Sequence, residues 1–207
     1  HNLEDQIATA LNRNVPLKSG GYLVVDQTEA MTTVDVNTGA FVGRRDLEET
    51  IYRINLEAAA AIPRQLKLRN IGGIVIIDFV DMINVEHKRQ VLRTLEKGQQ
   101  ADRVKWNISE ISELGLVEMT RKRTSESLLK MMCAPCAACE GKGYIKTAET
   151  VCLEIYREIQ RKALKFKGKD CLIMASQTVI DRLLDEDAMC IAELSSALDC
   201  RIRLQVE

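Results

Sequence analysis

The stretch Ile71-Gly-Gly-Ile-Val-Ile-Ile-Asp-Phe-Val-Asp-Met82 decides how the rest of the chain is read. Ile74 to Ile77 is an unbroken β-branched run directly after a Gly-Gly break, which suits a strand buried on both faces better than a helix. Asp78 then falls where that strand ends, and open α/β sheets bind ligands just beyond the carboxyl ends of their strands. A second strand is expected over Ala30 to Val36, with Asp35 near its end and Asn37, Thr38 and Gly39 following. Two carboxylates at the ends of neighbouring strands can hold one magnesium ion, which takes one or two carboxylates and completes its shell with water and phosphate oxygens. Aspartates after strands are also common turn residues. The residues by themselves leave both readings open.

Between the two aspartates the pattern turns helical. Asp46 can cap, Glu48 and Glu49 favour the positive end, and Leu47, Ile51, Ile54 and Ala58 form a stripe. Pro63 removes a backbone donor, so a kink or break is expected near Ala61, with a second segment to Arg69. Strand, helix and strand in that order make a crossover, normally right-handed, that sets the two aspartate-bearing strands parallel and close together. Upstream, a short helix is expected over His1 to Arg13, and Tyr22 to Val25 should hairpin through Asp26 to Glu29 into the Asp35 strand. Downstream, Asn84 can cap a helix to about Gln100, and strands around Val104 to Ile108 and Leu116 to Met119 extend the sheet.

Lys105, Arg121, Lys122 and Arg123 would neutralise phosphates if they share a side with the aspartates. The competing reading is a solvated charged edge that deters strand-on-strand aggregation. Asp81 is a further acidic candidate, read as sharing a face of the extended segment with Asp78, a turn cap being the alternative.

The whole chain sets the limits. Its 207 residues suffice for one large or two modest domains, and 46% hydrophobic with 29% charged content is that of a soluble globular protein. A net charge of −1 leaves only local basic patches as an argument for nucleic acid. No apolar run approaches the ~18 residues of a membrane span. The start, His-Asn-Leu-Glu-Asp, has neither a Met nor a charged-then-apolar leader, so a chain that begins inside a longer protein, without a signal peptide, is expected. Seven cysteines, with Cys133, Cys136 and Cys139 bunched, fit a metal site in a reducing cytosol better than a disulfide framework.

Those three cysteines form overlapping Cys-x-x-Cys pairs followed by glycines, half of a zinc ribbon or knuckle. No second Cys-x-x-Cys follows, and Cys152, Cys171, Cys190 and Cys200 read as small buried hydrophobes. The simplest completion is a second copy of the chain, each giving two thiolates to one zinc, and hence a dimer. A three-cysteine site with a remote ligand and a reactive dithiol stay open. Beyond them, Thr147 can cap a helix to about Lys165; a strand over Cys171 to Ala175, helices over Gln177 to Leu184 and Ile191 to Leu198, and a strand over Arg201 to Val206 complete a small α/β domain.

Read together, Ser19-Gly-Gly-Tyr22, Asp26-Gln-Thr-Glu-Ala30, Thr33-Val-Asp-Val-Asn-Thr-Gly39, Asn55-Leu-Glu-Ala58, Arg64-Gln-Leu-Lys-Leu-Arg-Asn-Ile-Gly-Gly73, Ile77-Asp-Phe-Val-Asp-Met82, Gly115-Leu-Val-Glu-Met-Thr-Arg-Lys-Arg-Thr124 and the 136–143 cysteine segment resemble, in this order, the ribonuclease E/G family. The resemblance implies a mixed α/β fold. Residues 1–14 would be a remnant of a preceding domain, 15–131 a deoxyribonuclease-I-like catalytic subdomain, 132–144 a zinc link and 145–207 a small dimerisation domain. It implies that Asp35 and Asp78 hold a catalytic Mg2+, that Asn37 helps organise the site, and that Lys105, where the family usually has arginine, lies near the RNA path. It also implies that Cys136 and Cys139 bind a structural Zn2+ shared between two chains, with Cys133 a bystander. The implied activity is endonucleolytic cleavage of single-stranded RNA, leaving 5′-phosphate and 3′-hydroxyl ends, by a cytoplasmic homodimer or a tetramer built from it. The family's N-terminal RNA-binding domain and 5′-monophosphate sensor have no counterpart in these residues. A zinc-linked RNA-binding scaffold without chemistry is the alternative. His1 and His87 are not placed for acid/base work.

Overall fold

The computed structural model describes residues 3–39, 47–162 and 169–207. The expected cap at Asp46, the helix start at His1 and the helix end near Lys165 lie outside them. Two compact units divide the chain, His1–Ala134 and Pro135–Glu207.

In the first unit, helix α1 (Leu3–Leu11) precedes a six-stranded mixed sheet. Its strands are β1 (Asn14–Pro16), β2 (Tyr22–Gln27), β3 (Met31–Asn37), β4 (Gly73–Asp78), β5 (Trp106–Ile111) and β6 (Leu116–Arg121), in the order β1-β2-β3-β4-β6-β5. Strands β2 and β3 form the expected hairpin, and β3 and β4 run parallel, joined through helix α2 (Leu47–Leu68). Helix α3 (Val85–Gln100) starts at Asn84, whose side chain accepts from the Glu86 N–H at 2.8 Å. A short α4 (Leu128–Met132) ends the unit.

Alternation along the strands makes the core. Leu23, Val34, Val36, Val75, Ile77, Val117 and Met119 turn one sheet face towards Ile54, Ala58, Ile62 and Leu66 of α2 and Val91 and Leu95 of α3. The other face carries Thr33, Asp35, Ile76 and Asp78, none of them fully buried. The expectation that β4 is buried on both faces is therefore corrected: Ile74 is 47% exposed, because within this unit helices cover one side only.

Pro63 does not break α2, which runs unbroken through it for 22 residues. The ring packs where α3 has Gly98, at which an added Cβ would stand 2.9 Å from the Pro63 Cγ. The missing side chain there makes room for the proline. The strand β1 was not expected; three residues ending at Pro16 carry little pattern, and an edge tolerates the proline.

The second unit holds helix α5 (Ala148–Arg161), capped by Thr147, then β7 (Cys171–Ala175), α6 (Gln177–Leu184), α7 (Ala188–Leu198) and β8 (Ile202–Val206). Strands β7 and β8 pair in parallel, and Cys152, Cys171 and Cys200 lie buried in their core as small hydrophobes. Cys190 departs from that expectation, being exposed on α7. Among the described residues no helix is long and apolar enough to cross a membrane.

Candidate active site

Strand register places the two aspartates. In the parallel pair β3 and β4, Asp35 and Asp78 are direct Cα partners at the carboxyl ends of both strands, on the face away from the helices. Asn37, one alternation further along β3, donates its side-chain N–H to Asp35 Oδ2 at 2.7 Å. This fixes the rotation of that carboxylate.

Burial pushes the Asp78 carboxyl above the usual carboxylate range, and the negative charges of Asp35 and Asp81 add to it. Among the described residues no Lys, Arg or His forms an ion pair with any of these three. Clustered hard oxygens without a countercharge suit a divalent cation. Among the described residues no three acidic, Cys or His side chains converge as a ready-made cage. The pair leaves most of the coordination shell to water and phosphate, which is how magnesium is commonly bound.

Asp81 does not share a strand face with Asp78. β4 ends at Asp78, and Asp81, three residues on, stands against the hairpin tip, where a Cβ on Gly115 would meet Asp81 Oδ1 at 3.2 Å.

Both strand ends are tied to α2. Asn55, fully buried, donates to the Val80 carbonyl at 2.7 Å and accepts from the Val80 N–H at 3.1 Å, gripping the chain just after Asp78. Glu57, two residues on, accepts the backbone N–H groups of Lys18 and Ser19. Although burial opposes it, the Ser19 side chain and then the Ser19 and Lys18 N–H groups hold the Glu57 carboxyl below its usual range. The loop so held lies against the end of β3: a Cβ on Gly21 would stand 2.7 Å from the Asn37 carbonyl, and one on Gly39, at φ +66, 2.4 Å from the Gly20 carbonyl. No local pattern assigns Asn55 and Glu57 to the site; the available signals are their polar side chains flanking the apolar stripe of α2 and their place in the Asn55-Leu-Glu-Ala58 segment.

The basic residues fall elsewhere. Gly73 pairs with Arg121 and Asp78 with Leu116, so Arg121 lies at the opposite end of β4, about 16 Å from Asp78 at ~3.3 Å per residue. Lys105 and Lys122 are joined there by a backbone hydrogen bond, and Arg123 donates to the Gly72 carbonyl at 3.2 Å. Lys105 and Arg123 are exposed. Arg121 is not available to a ligand, which corrects the expectation of an RNA contact: its side chain is 3% exposed, Nε donates to Asp102 Oδ2 at 2.7 Å and Nη1 donates to the Ile71 carbonyl at 2.7 Å. Burial would raise the Asp102 carboxyl, yet Arg121 beside it holds it low.

In the second unit, Cys136 and Cys139 sit in a hydrogen-bonded turn. The Glu140 N–H bonds the Cys136 carbonyl, the Lys142 N–H the Cys139 carbonyl, and the Gly143 N–H reaches the Cys139 sulfur at 3.4 Å. Backbone N–H groups of Cys139 and then Ala138, with the Cys139 side chain, hold the Cys136 thiol below its usual range. That favours the thiolate a metal needs. Gly141 and Gly143, at φ +84 and +80, permit the turn. Cys133 is exposed and caps α4 through its backbone N–H.

A family model described as "Ribonuclease E/G family" matches residues 1–124, and one described as "RNase E/G, Thioredoxin-like domain" matches 135–207. The chain is 52% identical to ribonuclease G of Salmonella typhimurium (strain SL1344) over 207 residues, all of this chain and 42% of that protein. It is 49% identical to ribonuclease G of Haemophilus influenzae over 208 residues, again all of this chain and 42% of the relative. Against ribonuclease E of Escherichia coli (strain K12) the identity is 38% over 199 residues, 96% of this chain and 19% of that protein. The chain thus spans well under half the length of these relatives.

Proposed function

This chain belongs to the ribonuclease E/G family, and from that premise we propose that it carries the carboxylate centre of a magnesium-dependent endoribonuclease that cuts single-stranded RNA in RNA processing and decay, ribosomal RNA maturation included. One observation carries the reading: Asp35 and Asp78 stand side by side at two strand ends with no countercharge among the described residues. Magnesium there would bind the scissile phosphate, lower the pKa of a bound water and offset the charge that develops at phosphorus.

The chain's own residues do the rest. Asp35 and Asp78 would present hard oxygens to such an ion, and Asn37, hydrogen-bonded to Asp35 Oδ2, would hold that carboxylate in one orientation. A water oxygen bonds to phosphorus and gives up a proton as the bond from phosphorus to O3′ breaks, and the 3′ oxygen takes up a proton, so that one water is consumed in all. The products are a 5′-phosphate and a 3′-hydroxyl. Exposed Lys105 and Arg123 attract the backbone at a distance from the cut. Within the fold, 15–131 would be the deoxyribonuclease-I-like subdomain, 132–144 the zinc link and 145–207 the dimerisation domain. Cys136 and Cys139 would each give a thiolate to a zinc shared between two chains, the hydrogen-bonded turn being what supports that reading.

The test is magnesium-dependent cleavage of a short 5′-monophosphorylated single-stranded RNA by this chain and by Asp78→Asn. Loss of cleavage on the order of 10²–10³-fold in Asp78→Asn is expected. Equal cleavage by Asp78→Asn would overturn the assignment, and binding without cleavage by every form would favour a scaffold.

A further inference from the structure

We infer that Asn55, seconded by Glu57, is the positioning element of the metal site: α2 sets the spacing of the two carboxylates through these side chains. The inference rests on the metal reading above and adds to it residues that touch neither ion nor substrate.

Pairing with β2 holds β3 past Asp35 to Asn37, whereas Asp78 is the last residue of β4 and its last paired one. Beyond it nothing in the sheet holds the chain. There Asn55 replaces the missing strand partner, its amide making the donor and acceptor bonds that a neighbouring backbone would make to Val80. Asn55 is 0% exposed, so a lost bond is not made good by bulk water. Glu57 acts on the other strand end indirectly, through the loop before β2. It fixes the Lys18–Ser19 backbone, the following glycines pack against Asn37 and Gly39, and Asn37 orients Asp35. Both side chains come from a single turn of one helix, so the two strand ends are referred to one rigid frame.

A side chain that merely stabilised the helix would lower the melting temperature and leave metal affinity alone. One that sets carboxylate spacing would weaken metal binding in folded protein, commonly by about 10–100-fold for groups that orient ligands. The probe is Mn2+, its free concentration read by electron paramagnetic resonance, titrated without RNA into the full chain, Asn55→Ala, Glu57→Gln, Asp78→Asn and Leu66→Ala. Leu66, 1% exposed on the same helix, is the control for lost stability. All samples are measured well below their melting temperatures.

The expected result is about 10-fold weaker Mn2+ binding in Asn55→Ala, a smaller loss in Glu57→Gln and a change under about 2-fold in Leu66→Ala despite a comparable drop in melting temperature. Binding that Asp78→Asn abolishes but Asn55→Ala and Glu57→Gln leave unchanged overturns this inference alone, as does an equal loss in Leu66→Ala. Should Asn55→Ala not fold, Glu57→Gln, at a partly exposed position, decides. No binding by the parent chain, or binding that Asp78→Asn leaves intact, overturns the metal reading and this inference with it.

Discussion

Replacing Arg121 with methionine separates a buried structural charge from an RNA contact. The substitution keeps most of the side-chain bulk and removes the guanidinium that joins Asp102 to the Ile71 carbonyl. Asp102, 6% exposed, would keep donors from the Gln99 side chain at 3.0 Å and the Val104 N–H at 3.2 Å but no cation. Removing one partner of a buried pair costs about 3–5 kcal/mol, a large share of the ~5–15 kcal/mol of an ordinary domain. The single tryptophan, Trp106, pairs directly with Arg121 across β5 and β6, so its fluorescence during urea unfolding reports on this unit. The Asp102 carboxyl is held below its usual value of 3.8 in the fold, so the pair's contribution is fully present above that pH and fades as pH falls below it. The penalty of Arg121→Met is therefore largest near neutrality and shrinks on acidification. Adding Asp102→Ala should recover part of the loss, since no unpaired charge is left buried. Below the unfolding midpoint, affinity for single-stranded RNA should change less than about 2-fold, in contrast to the loss of counterion release that an RNA-contacting arginine would show. A loss under about 1 kcal/mol, or RNA binding weakened with stability intact, would refute the reasoning.

Other outcomes follow from the same geometry. Lys105→Ala and Arg123→Ala should leave stability nearly unchanged while each lowers the salt slope of RNA binding by about 0.7, measured by titration at several salt concentrations. Because the ionised Asp78 is disfavoured in the fold, its penalty is present at neutral pH and disappears as pH falls through the raised value; half-saturating magnesium should rise over the same fall, and metal-free Asp78→Asn should be more stable at pH 7 by about 0.5 kcal/mol, kept small by solvent screening. Gly39→Ala, at φ +66 with the Gly20 carbonyl in the way, should lose about 1–3 kcal/mol in urea unfolding. Cys136→Ser should release zinc and turn dimers into monomers, read by metal analysis with light scattering; a dimer that persists without zinc would remove the shared site.

The β-branched run before Asp78 and the hairpin into Asp35 were legible because alternation and turn residues are local signals. The parallel pairing followed from one helix lying between two strands. Less legible were groups whose meaning depends on a partner far along the chain. Arg121 in a basic run looks like a phosphate contact until Asp102 is folded against it. Pro63 reads as a break until Gly98 is seen opposite. Asn55 and Glu57 are unremarkable on a helical wheel, since their partners are backbone groups of loops that a sequence does not bring near. The burial of β4 on both faces was overread, because an apolar run does not say how many layers cover it.

The parallel pairing of Asp35 with Asp78 has a kinetic consequence. A parallel pair closes only after the whole crossover through α2 is in place, and such non-local closure is a slow event in folding. On the proposed reading a cation would have nothing to bind in the unfolded ensemble, and its coordination would be coupled to the native state alone. Divalent ions should slow unfolding rather than speed folding, and raise the melting temperature with concentration as ligands of the native state do.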